Sequence, residues 1–387
     1  MNNRAFISII TFFFLLAATA LAIAYNRGYK PNFGNGRPVE ETGILVATSI
    51  PDGAQVFLNN ELRTATNNTL NLPEGEYQIK IVKDGYTPWE KNLKIKKGVV
   101  SETRAALFPT APDLRAQTLT GAFSPTLSPD GTSIVYGVAS GSAQKQGVWV
   151  MDLNEKPLLS QAQTRQIAQT LARASFRWSP DGKQILATID SQKFLLNSDR
   201  LNMIPQDVTI TIDSLLKVWD LELKEKERER LARQKEKFLE QANKMTIASW
   251  SPDENKILYT ATQSATLPQI LGKPFVGAST QPEDRELKKG NLYVYDIKED
   301  KNFKLDLPRV EDLSRNLMWF PDSYHLIWIG KDTTSIMEYD GANKATVYAG
   351  PFEDSFVYPW PNGSKLIILT NYLNPTAAPN LYTISLK

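Results

Sequence analysis

The chain has no cysteine and a single histidine, His325. The first absence excludes disulfides, thiolate metal sites, a cysteine nucleophile and a lipid-modified N-terminal cysteine. The second leaves His325 as the only imidazole, in a strand-like run behind Pro321-Asp322, where it reads as a half-buried strand residue. An excess of one charge sign is also lacking: 44 Lys and Arg against 42 Asp and Glu leave a net charge of +2, without the basic bias of a nucleic-acid binder. There is no Gly-x-Ser-x-Gly elbow, no Gly-x-x-x-x-Gly-Lys, no Gly-x-Gly-x-x-Gly and no His-Glu-x-x-His. No catalytic, cofactor-binding or metal-ligating constellation is left, so the chain reads as a non-enzyme without a cofactor. An enzyme whose site is assembled from separated loops, such as a carboxylate pair acting on a polysaccharide, stays open as the alternative.

Charge is absent altogether from Ala5 to Ala24, a run of 20 residues that as a helix spans roughly 30 Å. That length suits a transmembrane anchor. A cleaved signal sequence is the competing reading, because Ala22-Ile23-Ala24 fits the small-x-small pattern. Either way the bulk of the chain is expected outside the cytoplasm. Residues 26–42 are rich in Gly, Pro, Asn and charge, and read as a linker.

What the chain has in plenty is a repeated turn. Trp250-Ser251-Pro252-Asp253 recurs as Trp178-Ser179-Pro180-Asp181, Leu127-Ser128-Pro129-Asp130, Trp319-Phe320-Pro321-Asp322 and, degraded, Trp360-Pro361-Asn362. Each copy precedes a β run. Proline pre-sets φ, Asp bonds the backbone two residues on, and Gly131 or Gly182 supplies positive φ. The repeated acids therefore read as turn formers rather than as a metal-binding or catalytic ring. Strand-only repeats indicate a β-propeller, with five countable blades and room for a sixth before Ser128.

Between the linker and the repeats, residues 43–107 alternate as short strands with turns at Asn59-Asn60, Asp84-Gly85 and Lys97-Gly98, predicting an antiparallel β-sandwich. Ser49-Ile50-Pro51-Asp52-Gly53-Ala54, Leu72-Pro73-Glu74-Gly75-Glu76-Tyr77 and Lys83-Asp84-Gly85-Tyr86 resemble the PEGA domain, with Asp52 in place of the name-giving Glu. The resemblance implies an extracytoplasmic module of bacterial and archaeal envelope proteins and carries no catalytic residues. Trp89 and Tyr86 either pack on the sandwich, which their size favours, or form an exposed binding surface. Phe108-Pro109-Thr110-Ala111-Pro112 marks a boundary. From 113 to 387 the turn motif pairs with aromatic-rich strands ending in an acid, such as Leu292-Tyr293-Val294-Tyr295-Asp296, and together they resemble TolB-like and WD-repeat-like propellers. That resemblance specifies fold rather than function.

Two blades are too long and must hold insertions. The first, about 199–245, contains Asp213–Met245, free of Gly and Pro and dense in helix formers, with Asp213 as N-cap. Leu216, Trp219 and Leu223 make a stripe for docking, widened by Leu215, Val218 and Leu221. Lys224–Lys237 is expected to be solvated, and the insertion to be an ornament whose removal leaves the propeller folded. The second, Thr262–Lys289, reads as a long loop between the second and third strands of the third blade, leaving on the same face as the helix if that helix follows the outer strand of the second blade. Such insertions are the best binding candidates. The surface so assembled is Trp219, Arg228, Arg233, Pro268 and Phe275, with Trp89 on the smaller domain. The sequence thus predicts a mainly β chain: an N-terminal membrane helix, a PEGA sandwich and a propeller with a helical insertion. Its expected role is a membrane-anchored extracytoplasmic binding or scaffolding platform for an envelope protein or glycan, or else a structural spacer at the cell surface.

Overall fold

The computed structural model describes residues 3–26, 29–31, 39–154, 163–234, 236–272, 279–308, 313–372 and 376–387, with side chains described at 9–23 and, from 42 on, throughout those ranges except at 314. The chain divides into two units. One is Met1–Phe108 with Leu271–Pro282, and the other is Pro109–Ile270 with Glu283–Lys387.

In the first unit α1 (Asn3–Asn26) covers the uncharged run. Its described side chains, Ile9 to Ile23, are all exposed. Among the described residues no helix is long and apolar enough to cross a membrane, so the span expected over Ala5–Ala24 finds no support there. The stretch read as a linker is partly sheet: β1 (Tyr29–Pro31) pairs with the start of β2 (Val39–Ile50). Next come β3 (Gln55–Leu58), β4 (Glu61–Ala65), β5 (Asn68–Pro73), β6 (Gly75–Val82), β7 (Trp89–Ile95) and β8 (Val100–Ala106). One sheet has the order β4-β3-β6-β7, and β2 lies between β5 and β8 in the other. Asn59 and Asn60 hold φ of 50° and 68°, the double positive turn that a two-residue hairpin needs. The sandwich is not wholly antiparallel as expected, because β8 runs parallel to β2, from Ile44 opposite Val100 to Ile50 opposite Ala106. Parallel neighbours need a long connection, and the intervening strands, most of them in the facing sheet, provide it. The core is Leu45, Val56, Ile79, Ile81, Trp89 and Ile95 with their neighbours. Trp89, 3% exposed, is therefore packing and not a binding surface, and Tyr86 packs partly buried against the same core.

The second unit starts with β9 (Leu114–Ala116). Blade 1 is β10 (Phe123–Leu127), β11 (Ser133–Val138), β12 (Gly147–Asp152) and β13 (Gln163–Ala168); blade 2 is β14 (Ser175–Trp178), β15 (Gln184–Ile189), β16 (Gln192–Asn197) and β17 (Gln206–Asp207). Helices α2 (Ile212–Ala232) and α3 (Glu236–Ala242) follow. Blade 3 is β18 (Met245–Trp250), β19 (Lys256–Ala261), β22 and β23, interrupted by the small pair β20 (Ala265–Thr266) and β21 (Glu286–Leu287) ahead of β22 (Leu292–Asp296) and β23 (Lys301–Leu305). A short helix, α4 (Leu313–Asn316), leads to blade 4, made of β24 (Leu317–Trp319), β25 (His325–Ile329), β26 (Thr333–Glu338) and β27 (Ala345–Ala349). Blade 5 is β28 (Val357–Pro359), β29 (Lys365–Thr370) and β30 (Asn380–Ser385), completed by β9 as its outer strand. The described residues form five blades. The segment before Ser128, where a sixth had room, supplies β9 and β10 instead.

The repeated turn is the same object in all five blades. Its third-position carbonyl bond recurs as Gly131 N–H to Ser128 O, Gly182 to Ser179, Glu254 to Ser251, Ser323 to Phe320 and Gly363 to Trp360, at 2.8–3.1 Å. The donor residue is left-handed every time, with φ between 55° and 72°. Adjacent blades pack through alternate faces of their strands. Val135 and Val150 of blade 1 meet Phe176 and Ile185 of blade 2. Leu258 and Val294 of blade 3 meet Trp319 and Leu326 of blade 4. Ile367 and Leu381 of blade 5 meet Ile134 and Met151 of blade 1, which closes the ring.

At Gly137 on β11 an added Cβ would lie 1.9 Å from the Ala172 carbonyl oxygen. Backbone must shift to admit it. Gly137→Ala is expected to destabilise the propeller by about 1–3 kcal/mol, seen as a lower urea midpoint by tryptophan fluorescence.

Candidate functional site

The first insertion covers one apolar face of blade 2 and one of blade 3. Leu186 and Leu195 of blade 2 pack against Val208, Ile212 and Trp219. Ile257, Tyr259 and Tyr293 of blade 3 pack against Phe238 on α3, with Leu231 and Ala242 beside it. The start of α2 thus docks on blade 2, and the end of α2 together with α3 docks on blade 3. Thr211, not Asp213, is the N-cap residue, and Asp213 sits in the first turn of α2.

Polar contacts fix the same segment. In blade 2 the Trp178 indole N–H donates to the Thr126 carbonyl of blade 1 at 3.0 Å. In blade 3 the equivalent Trp250 donates to the Glu227 carboxylate of α2 at 2.9 Å. The helix therefore takes the part that a neighbouring blade plays elsewhere. Lys226 Nζ donates to the Pro180 carbonyl at 2.9 Å. Arg230 and Arg233 reach the Glu254 carboxylate at 3.1 and 2.7 Å. Glu254 holds φ of 55°, where Gly131 and Gly182 hold 72° and 71°. Giving up glycine at this turn strains the backbone but provides a receptor for two arginines. The described residues of Lys224–Lys237 are mostly exposed, as expected, and none is buried; Lys226, Glu227, Arg230 and Arg233 nevertheless tie the stretch to blades 2 and 3 through polar contacts that hydrophobic periodicity does not register. The insertion, expected to be an ornament, supplies β17, the fourth strand of blade 2, and packs on apolar faces of blades 2 and 3.

The second insertion leaves blade 3 between its second and third strands, as expected, and starts beside the first: Thr262 N–H donates to the Lys244 carbonyl at 2.9 Å. Its stem is pinned to the blade. Arg285 pairs with Glu283 at 2.9 Å and with the buried Asp300 at 3.3 Å, while Tyr295 donates to Asp300 at 2.7 Å. Burial first, and then the Asp300 carboxylate, push the Tyr295 hydroxyl pKa above its ordinary value. Asn302 accepts from Tyr259 at 2.7 Å and donates to the Asp284 carbonyl at 2.6 Å.

Each described candidate residue has its own local setting. Trp219, 4% exposed, is buried against blade 2 and belongs to the core. Arg233 is engaged by Glu254, and Arg228 pairs with Glu225 at 2.6 Å on an exposed face. Pro268 is exposed, its carbonyl accepting from Arg285 at 3.0 Å. Phe275 lies outside the described residues. His325 is a buried β25 residue with Nδ1 2.6 Å from Asp322. Among the described residues no group of three or more His, Asp or Glu is placed to hold a metal ion. The turn acids act locally: Asp130, Asp181 and Asp253 each accept from the preceding Ser hydroxyl and from the N–H two residues on. A buried charge cluster escaped the sequence reading. Lys256 Nζ lies 3.7 Å from Asp296, 3.8 Å from Asp253 and 4.7 Å from the Tyr324 ring centre. Burial raises the Asp296 pKa, with Lys256 opposing. Equally unforeseen is a patch of exposed aliphatics on the first insertion, with Ile210 at 98%, Ile204 at 90%, Leu221 at 66% and Val218 at 61%. Only a helical wheel with the docked stripe already known separates Val218 and Leu221 from the buried face.

Residues 42–110 match the family model of the PEGA domain, so the sandwich is a PEGA domain. No curated protein matches the chain by sequence. Among solved structures, the chain is similar to a protein described as a TolB from Agrobacterium tumefaciens, at 13% identity over 70% of this chain and 74% of that one, with a TM-score of 0.21. A TolB from Acinetobacter baumannii is similar at 12% identity over 80% of this chain and 59% of that one, with a TM-score of 0.24. Scores this low carry no argument, and the propeller assignment rests on the strand pairing described above.

Two outcomes follow from the turns. Glu254→Gly relaxes a left-handed residue but releases Arg230 and Arg233, so amide exchange is expected to quicken several-fold across 226–242 while blade 1 keeps its protection. The second concerns acid. The Ser179 hydroxyl and Lys183 N–H hold the Asp181 carboxyl below its usual range, and at Asp130 and Asp253 similar donors outweigh the upward push of burial. Unfolded carboxylates, with pKa ~3.9, take up protons before these folded ones do. The stability they confer is present at neutral pH and is lost as pH falls below about 4 toward the lower folded values. Asp181→Asn is expected to flatten that loss, measured as urea midpoints at descending pH.

Proposed function

We propose that this chain is a non-enzymatic envelope protein held at a membrane by its N-terminal helix, its PEGA domain and propeller lying outside the cytoplasm and the propeller serving as a protein-interaction platform. The observation that carries the platform is the first insertion. Two blades and a set of buried and ionic contacts hold it rigid, yet it presents Ile204, Ile210, Val218 and Leu221 to solvent. Exposed aliphatics on a fixed support suit a protein surface. A glycan site would present aromatic faces, and outside α1 the only exposed aromatic among the large apolar side chains described is Tyr372. The anchor is supported by the 20 uncharged residues from Ala5 to Ala24 and by the exposed Phe12, Phe13 and Phe14 of α1. Placement outside the cytoplasm follows what the PEGA resemblance implies.

Fractionation tests this reading. Full-length chain is expected in the membrane, resistant to salt and carbonate and released by detergent, with the propeller cleaved by protease added outside. Soluble chain beginning at Tyr25, or protection of the propeller until the cytoplasm is opened, would overturn it.

A further inference from the structure

Helix α2 has two unlike faces. Ile212, Leu215, Leu216 and Trp219 pack toward blade 2. At 100° per residue, Ser214, Val218, Leu221 and Glu225 fall on the opposite side, where Val218 and Leu221 are exposed; the nearly bare Ile210 lies just ahead of the helix. Along one flank of this outer stripe run Asp213, Lys217, Asp220 and Lys224, spaced by four, three and four residues. The row alternates acid and base, and read backwards it alternates base and acid. It is its own complement in an antiparallel pair. Lys224 is ion-paired with Asp220 at 2.8 Å, whereas among the described residues Asp213 and Lys217 have no ion-pair partner in their own chain.

We propose that the outer face of α2 docks on the same face of a second copy of this chain, antiparallel, about a two-fold axis passing close to Val218. This deepens the platform reading, on which it rests, by naming the partner. In an antiparallel two-fold pair the same flank of each helix meets the other at reversed height. Asp213 then faces Lys224 of the second copy, and Lys217 faces Asp220, each contact made twice. Val218 and Leu221 pack across the axis between these rows. Pairing in the parallel sense would not bring this flank against itself. The helix offers a small contact, so the association is of the weak, reversible kind.

The chain has no cysteine, so single cysteines report position without background. With the full chain in detergent or in bilayer discs, Val218→Cys is expected to give a dimer with a short bis-maleimide. Ser214→Cys and Glu225→Cys should fail alone but cross-link when mixed. In the Val218→Cys background, Lys217→Glu and Asp220→Lys should each lower the cross-linked yield about five-fold, and the two together should restore it, with circular dichroism unchanged throughout. Self-cross-linking of Ser214→Cys, a yield indifferent to the charge reversals, or no dimer at Val218 would overturn the proposal. So would an environment-sensitive dye at position 218 that reports lipid. A photo-cross-linker at Val218 that captures a different protein would overturn self-pairing and leave the platform reading standing.

Discussion

A ring of twisted sheets has no natural end, and what ends this one is the pairing of β9 with β30. The two strands come from opposite ends of the propeller sequence. Tyr382 lies opposite Ala116 and Ile384 opposite Leu114. Beyond the strand, Gln117 N–H donates to the Leu381 carbonyl, Thr118 donates to Asn380 at 3.0 Å, and Leu381 N–H returns to the Thr118 hydroxyl at 2.9 Å. These bonds satisfy an edge that would otherwise lie open and seat blade 5 against blade 1. Without them blades 5 and 1 would each be covered on one side only and would expose apolar surface that the closed ring buries.

Between blades 2 and 3 in the chain the same requirement is met by other means. Each has an apolar face on which the helical insertion packs. Its polar anchors lie on the repeated turns themselves: the Pro180 carbonyl in one blade, and Trp250 and Glu254 in the next. A helix clamped to two turns is a rigid support, and its remaining face is fixed in orientation. That is why exposed aliphatics there bear on function, where the same side chains on a loose loop would not. The Arg285–Asp300–Tyr295 cluster does the corresponding service for the second insertion, tying its stem to the outer strands of blade 3.

The turn motif, read five times in the sequence, settled the blade as the unit, since proline, an Asp that bonds its own backbone and a left-handed fourth residue dictate local geometry without help from elsewhere. The Asn59-Asn60 hairpin and the strands of the PEGA domain were legible for the same reason. Strand alternation also marked the apolar faces, and the lack of Gly and Pro marked the helical stretch, although it runs as α2 and α3 with Met245 already in β18 and not as one helix over Asp213–Met245. Other features depend on residues far apart in sequence. The parallel course of β8 beside β2, the transfer of β9 to the last blade and the use of the segment before Ser128 as β9 and β10 instead of a sixth blade follow from pairing across long loops, which no local pattern encodes. Trp219 and Val218 are adjacent in sequence, and both belong to an apolar helix. Only the position of blade 2 buries the one and leaves the other bare. Likewise Glu254 looks like a lapse from glycine until Arg230 and Arg233 are brought beside it.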